Sequence, residues 1–129
     1  MPTWRAVLAV AGGSAVGGVL RMLLVSVAAT RVTSAFPIGV LAVNVIGSFV
    51  FGVAIRYGLQ GGGISETTRL LITTGLCGGF TTFSAFSMDI VDGLERGRSS
   101  MVTTYILASL MLGVGALLAG LAVGRALGK

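Results

Sequence analysis

The chain has 129 residues, 54% of them apolar and 10% charged, with a mean hydropathy of +0.99; soluble domains carry roughly 25% charged residues, so this is not the composition of a soluble enzyme. Nine basic residues against four acidic ones leave a net charge of +5, but the charges stand singly in apolar sequence and form no stripe along phosphates, so nucleic acid is not an expected partner. With no histidine and one cysteine, Cys77, a single chain has no material for a disulfide, a zinc cluster, a Cys-His dyad or a Ser-His-Asp triad, and no enzymatic constellation is in sight.

What remains is an all-α integral membrane protein. A bilayer core about 30 Å thick needs about 20 apolar residues per helix, and four stretches reach that length: residues 4–29, 36–57, 68–91 and 101–127. In the first, Arg5 precedes an apolar run that is too long for a secretory signal, so it reads as a retained helix. Between the spans lie Arg31 to Pro37, Tyr57 to Ser65 with Gly61-Gly62-Gly63, and Asp92 to Ser100, none long enough for a separate domain. Residues 1–129 therefore read as one four-helix membrane domain. Ser65 with Thr68, and Ser99 with Ser100, are candidate helix caps.

Helices in lipid have no hydrophobic drive to associate, so small residues mark where backbones approach. Gly13 and Gly17 form a GxxxG in the first span, and Ala116, Gly120 and Gly124 form a small-xxx-small series in the last. Both fit general helix packing better than a dedicated dimer seam.

The third span is different. Its run from Thr73 to Ser87 puts Gly78-Gly79 and many hydroxyls at mid-membrane depth, where a uniform lipid-facing helix would not need them. Adjacent glycines favour a break there, and a break frees backbone groups that survive only if buried in protein, bound to an ion or facing water. Freed carbonyls suit a hard cation and freed amides an anion; the plain alternative is a kinked packing helix with hydroxyls bonded to their own backbone. Phe80, Phe83 and Phe86 recur every three residues along the second half of the span, and ring edges carry positive potential that can meet a small anion. Elsewhere, Asn44 in the second span either lines a polar path or bonds a neighbouring helix. Tyr105 and Ser109 share a face of the last span. Arg21 is an interface anchor or an anion-attracting charge, and Asp89 is a structural or helix-end charge at the membrane boundary.

Three runs, Gly12 to Arg21, Asn44-Val45-Ile46-Gly47-Ser48, and Gly75 to Ser87 with its Gly-Gly-Phe-Thr-Thr-Phe-Ser-Ala-Phe core, together resemble the CrcB/Fluc family of fluoride channels over essentially the whole chain. The resemblance implies an antiparallel, dual-topology dimer of four-helix subunits with two fluoride pores, in the plasma membrane. It also implies a structural sodium ion at the dimer centre, held by the backbone carbonyls of Gly78 and Thr81 from both subunits. By the same carry-over Phe83, Phe86, Asn44, Tyr105 and Ser109 line the fluoride path, Arg21 stands in its vestibule, and Phe80 is packing. The implied activity is passive fluoride export that protects the cell from fluoride.

Two positions depart from the family pattern: Val40 and Ala85 stand where the family commonly has hydroxyls. The losses leave open a homodimer, or a heterodimer in which a homologous subunit supplies the missing groups while this chain is half-active or nonconducting. With Arg21 left out as intramembrane, Arg5, Arg56, Arg69, Arg125 and Lys129 fall on the side of the termini and Arg31, Arg96 and Arg98 opposite, a weak positive-inside signal that suits insertion in both orientations and equally a modest preference for cytoplasmic termini, as in one half of a heterodimer. A small multidrug-type proton-coupled exporter shares the length and span number, but it needs a membrane-embedded carboxylate, and Glu66, Asp89, Asp92 and Glu95 all fall at or near loops.

Overall fold

The computed structural model describes residues 1–61 and 63–129, so Gly62, in the expected glycine joint, lies outside the described residues. Among these residues the chain is all helix, turn and loop. Its elements are α1 (Trp4–Arg31), α2 (Ile38–Leu59), α3 (Glu66–Leu70), a π-helical segment (Leu71–Cys77), α4 (Gly78–Phe80), α5 (Phe83–Glu95) and α6 (Ser99–Leu127). α3 to α5 form one interrupted span, and with α1, α2 and α6 they give four helices long and apolar enough to cross a membrane.

Local chemistry sets the ends. Thr3 caps α1 by accepting the Ala6 N–H at 3.3 Å, and Ser65 caps α3 by accepting the Thr68 N–H at 3.1 Å, as expected. Ser99 and Ser100 do not cap α6; they are its first helical residues, behind an Arg98 that makes no side-chain cap bond. Their carbonyls instead accept the hydroxyls of Thr103 and Thr104, one turn on. Gly97, at φ +70°, supplies the left-handed residue that turns α5 into α6.

Two close helix pairings organise the bundle. α2 lies along α6 because glycines let the backbones touch: a Cβ on Gly52 would sit 2.5 Å from the Leu117 carbonyl oxygen, and one on Gly124 2.6 Å from that of Val53. α1 lies along the third span in the same way, with Gly13 against Leu71 and Leu76, and Gly17 against Phe80. Both small-residue patterns thus serve packing within the chain. Large apolar side chains such as Val16, Val19, Met111 and Leu118 point outward, as lipid-facing helices require.

The third span departs from a plain helix at two places. Leu71–Cys77 winds as a π-helix, a form concentrated at functional sites. The break itself falls at Thr81 and Thr82, both extended, one turn beyond the expected glycine pair. Gly78 and Gly79 stay helical, and at Gly79 the missing side chain serves contact: a Cβ there would lie 2.9 Å from the Ser14 Cα of α1.

Candidate functional site

The broken backbone is held by one amide. The Thr82 N–H donates to Asn44 Oδ1 at 2.8 Å, and Asn44 Nδ2 donates back to the Thr82 carbonyl at 3.1 Å. This reciprocal pair satisfies both polar groups of the extended residue at membrane depth, where each would otherwise cost several kcal/mol. It also fixes the flip of the Asn44 amide: Oδ1 is committed to a donor, and the amino group retains a second N–H. Thr82 then caps α5, its Oγ1 accepting the Ala85 N–H at 3.1 Å and lying 3.3 Å from Ser84 Oγ.

Three cavities surround this clamp. The first, about 300 Å³, is lined by Asn44, Ser48, Thr81, Thr82, Phe83, Phe86 and Ser109, with Leu110 and Gly113. Phe83 is 79% exposed, so its ring stands out from the chain at the groove's edge. Ser109 Oγ is buried without a hydrogen-bond partner, an O–H donor left uncommitted beside the rings. Behind Phe86 lies Tyr105, fully enclosed, with ring centres 5.2 Å apart, and Phe36 meets its other side edge-on at 5.6 Å. The Tyr105 hydroxyl donates to Asp89 Oδ2 at 2.9 Å. Asp89, half-buried, thus partners the buried tyrosine and lines a recess with Val32, Ser34 and Phe36 of the joint between α1 and α2.

The second cavity, about 400 Å³, holds Arg21 together with Thr82, Ser84, Val40 and Ala85. The two residues that depart from the family pattern thus share the arginine's cavity and are absent from the lining of the Asn44 groove. The third, about 450 Å³, is lined by Ser48, Thr73, Thr74, Cys77, Gly78 and Thr81 among others, and flanks the π-helical turn. Phe80 lines none of these three. It packs with Leu20, Ile46 and Leu76 in a separate apolar recess, because the break interrupts the aromatic stripe between it and Phe83.

Of the residues singled out from sequence, Asn44, Phe83, Phe86, Ser109 and Thr81 meet in one groove. Arg21 lies in the adjoining cavity, Gly78 joins Thr81 in the third, and Tyr105 supports Phe86 from within. The sequence alone gives no role to Ser48 and shows Thr82 only among the many hydroxyls of the third span. A hydroxyl residue directly before a helix start is an N-cap signature, and that signal was present at Thr82.

The carbonyls of Gly78 and Thr81 fit a hard cation. In an unbroken helix the Gly78 carbonyl would accept from the Thr82 N–H, which here goes to Asn44. The Thr81 carbonyl would accept from the Ala85 N–H, which goes to Thr82 Oγ1. Both oxygens are released at membrane depth, and oxygen ligands are what hard cations take. Among the described residues no cluster of three or more Asp, Glu, His or Cys could hold a metal, and the cavity beside these carbonyls carries hydroxyls of Ser48, Thr73 and Thr74 as further oxygen.

Comparison with known proteins agrees with this architecture. Residues 8–121 match the family model described as CrcB-like protein, Camphor Resistance (CrcB). A protein of Rhizobium johnstonii named fluoride-specific ion channel FluC is 49% identical over 118 residues, covering 92% of this chain and 94% of its own. Proteins of the same name from Agrobacterium fabrum and Pseudomonas aeruginosa are 46% and 41% identical, covering 90% and 84% of this chain and 93% and 88% of their own. With four helices of spanning length it is a multi-pass protein of the plasma membrane, and the chain belongs to the CrcB family.

Proposed function

We propose that the chain is a passive, fluoride-selective channel that lets fluoride leave the cytoplasm and so protects the cell from it. The observation that carries the reading is the Asn44 clamp on the broken third span, which gathers uncommitted donors and two phenylalanine rings in one groove without a full charge. The relatives of this chain carry the name fluoride-specific ion channel, which supports the same reading.

Fluoride holds its water tightly, so a selective path must replace those hydrogen bonds with donors at fixed positions. The free N–H of Asn44 and the Ser109 hydroxyl offer such donors. Phe83 and Phe86 offer ring edges whose positive potential attracts an anion without binding it so strongly that it cannot leave. Tyr105 stacks behind Phe86 and holds its ring in place, and Arg21 raises the local anion concentration at the adjoining cavity. No bond is made or broken, so the protein is a channel and not an enzyme. Hydrofluoric acid entering from an acidic medium dissociates inside, and the membrane potential drives the anion out through such a path.

The working unit in this reading is an antiparallel dimer with two pores. The exposed Phe83 ring then meets the second subunit. A sodium ion at the dimer centre is held by the Gly78 and Thr81 carbonyls of both subunits, where it fixes the paired helix breaks. The subunits are two copies of this chain or this chain and a homologue. Val40 and Ala85 bear on that choice because they make the Arg21 cavity less polar.

The direct test is growth on fluoride of a bacterium lacking its own fluoride exporter. Expression of this chain alone should restore growth, and a Phe83→Ile variant present in the membrane at equal level should not. Membrane-inserted wild type that gives no protection alone, but does so with a homologous subunit, would replace the homodimer with the heterodimer. Failure in both settings would contradict the fluoride reading.

A further inference from the structure

We infer that Asn44 and Thr82 are positioning residues for the cation site as well as neighbours of the anion groove: each removes the amide that would otherwise close over one of the two carbonyls. The inference rests on the sodium reading proposed above and adds to it the side chains that create the site. Two bonds carry it. At Gly78, the competing donor is the Thr82 N–H, and Asn44 Oδ1 holds that group at 2.8 Å. At Thr81, the competing donor is the Ala85 N–H, and Thr82 Oγ1 holds it at 3.1 Å. The Asn44 Nδ2 bond to the Thr82 carbonyl, at 3.1 Å, locks the extended conformation that makes both diversions possible.

The arrangement has a physical logic. A carbonyl inside a helix already accepts a hydrogen bond, and its oxygen points along the helix toward that donor. Redirecting the donor to a side chain leaves the oxygen free without leaving the amide unsatisfied, so the free acceptor costs less than an unassisted break. The side chain that frees Gly78 also lines the groove with Phe83 and Phe86. The cation site and the anion path therefore share one hydrogen-bonded unit, and loss of the Asn44 amide should disturb both.

The experiment measures sodium binding independently of flux. The purified full-length chain in detergent is unfolded by heat, followed by circular dichroism, across a titration of sodium chloride against N-methylglucamine chloride at constant ionic strength. Wild type should be stabilised as sodium rises, and the half-effect concentration reports apparent affinity. Asn44→Leu and Thr82→Val should each raise that concentration by about 10- to 100-fold, the usual effect of removing a group that orients metal ligands. Thr82→Ser, which keeps the hydroxyl, should stay near wild type. Unchanged sodium dependence in both Asn44→Leu and Thr82→Val would overturn the inference while leaving the sodium site standing. A wild type indifferent to sodium would overturn the sodium reading and the inference with it. Should Asn44→Leu fail to fold, the Thr82→Val and Thr82→Ser pair decides alone.

Discussion

The α2–α6 pair and the third span are built from the same small residues and use them to opposite ends. Along α2 and α6, glycines at Gly52, Gly120 and Gly124 bring two unbroken helices into backbone contact. In the third span, Gly79 makes an equally close contact with α1 and Gly75 a slightly looser one, yet the helix widens into a π turn and then opens at Thr81 and Thr82. The difference is capture. Asn44 reaches across from α2 and takes both polar groups of Thr82, and the Thr82 hydroxyl takes the next amide. Glycine alone brings helices together; an opening at this depth needs side chains that satisfy what the opening exposes.

The largest effect should come from removing the capture. Asn44→Leu is expected to lower fluoride flux in reconstituted vesicles by about 10- to 100-fold, the factor matching ~1.5–3 kcal/mol for a hydrogen bond to a charged group. The glycine contacts that hold α1 and α6 should keep the variant helical. Flux within twofold of wild type would place the path away from the clamp. Next in size is the packing itself: Gly120→Ala and Gly13→Ala push a methyl into backbone of the facing helix and should each cost about 1–3 kcal/mol in denaturant unfolding. Gly12→Ala, with open space around it, should stay within about 0.5 kcal/mol, and a cost as large as that of Gly13→Ala would reveal a second chain on that face.

A finer test separates function from stability at one atom. Ser109 Oγ has no partner, so Ser109→Ala should slow fluoride flux several-fold while leaving stability equal or raised by about 1 kcal/mol. A clear loss of stability would mean the hydroxyl is already engaged. Smallest of all should be Asp92→Asn, which removes an exposed helical ion pair with Arg96 at 3.0 Å and should cost under about 1 kcal/mol.

The four spans and the interruption in the third were legible from hydropathy and from polar residues at mid-membrane depth, because those signals are local. The place of the break was not. Gly78-Gly79 is the weakest helical dipeptide in the span, but helix stability there is decided by Asn44, which lies 38 residues before Thr82 in sequence. The partition of the aromatic stripe follows from the same displacement, since a break after Thr81 separates Phe80 from Phe83 and Phe86. Asp89 reads from its sequence neighbours as a boundary charge, while its part-buried bond to Tyr105 depends on the pairing of α5 with α6. The π-helical turn left no periodic signature. Its signal was a crowd of small and hydroxyl residues, Thr73, Thr74, Gly75 and Cys77, beside α1.

The central claim is that the groove at the clamped break conducts fluoride. The most direct measurement is fluoride and chloride efflux, by ion-selective electrode, from liposomes holding the purified wild type, Asn44→Leu or Phe83→Ile at equal protein content. Fast fluoride efflux from wild type without chloride efflux, and slow fluoride efflux from both variants, is the predicted result. Fluoride efflux that stays fast in both variants, or wild-type efflux that does not distinguish fluoride from chloride, would contradict the account.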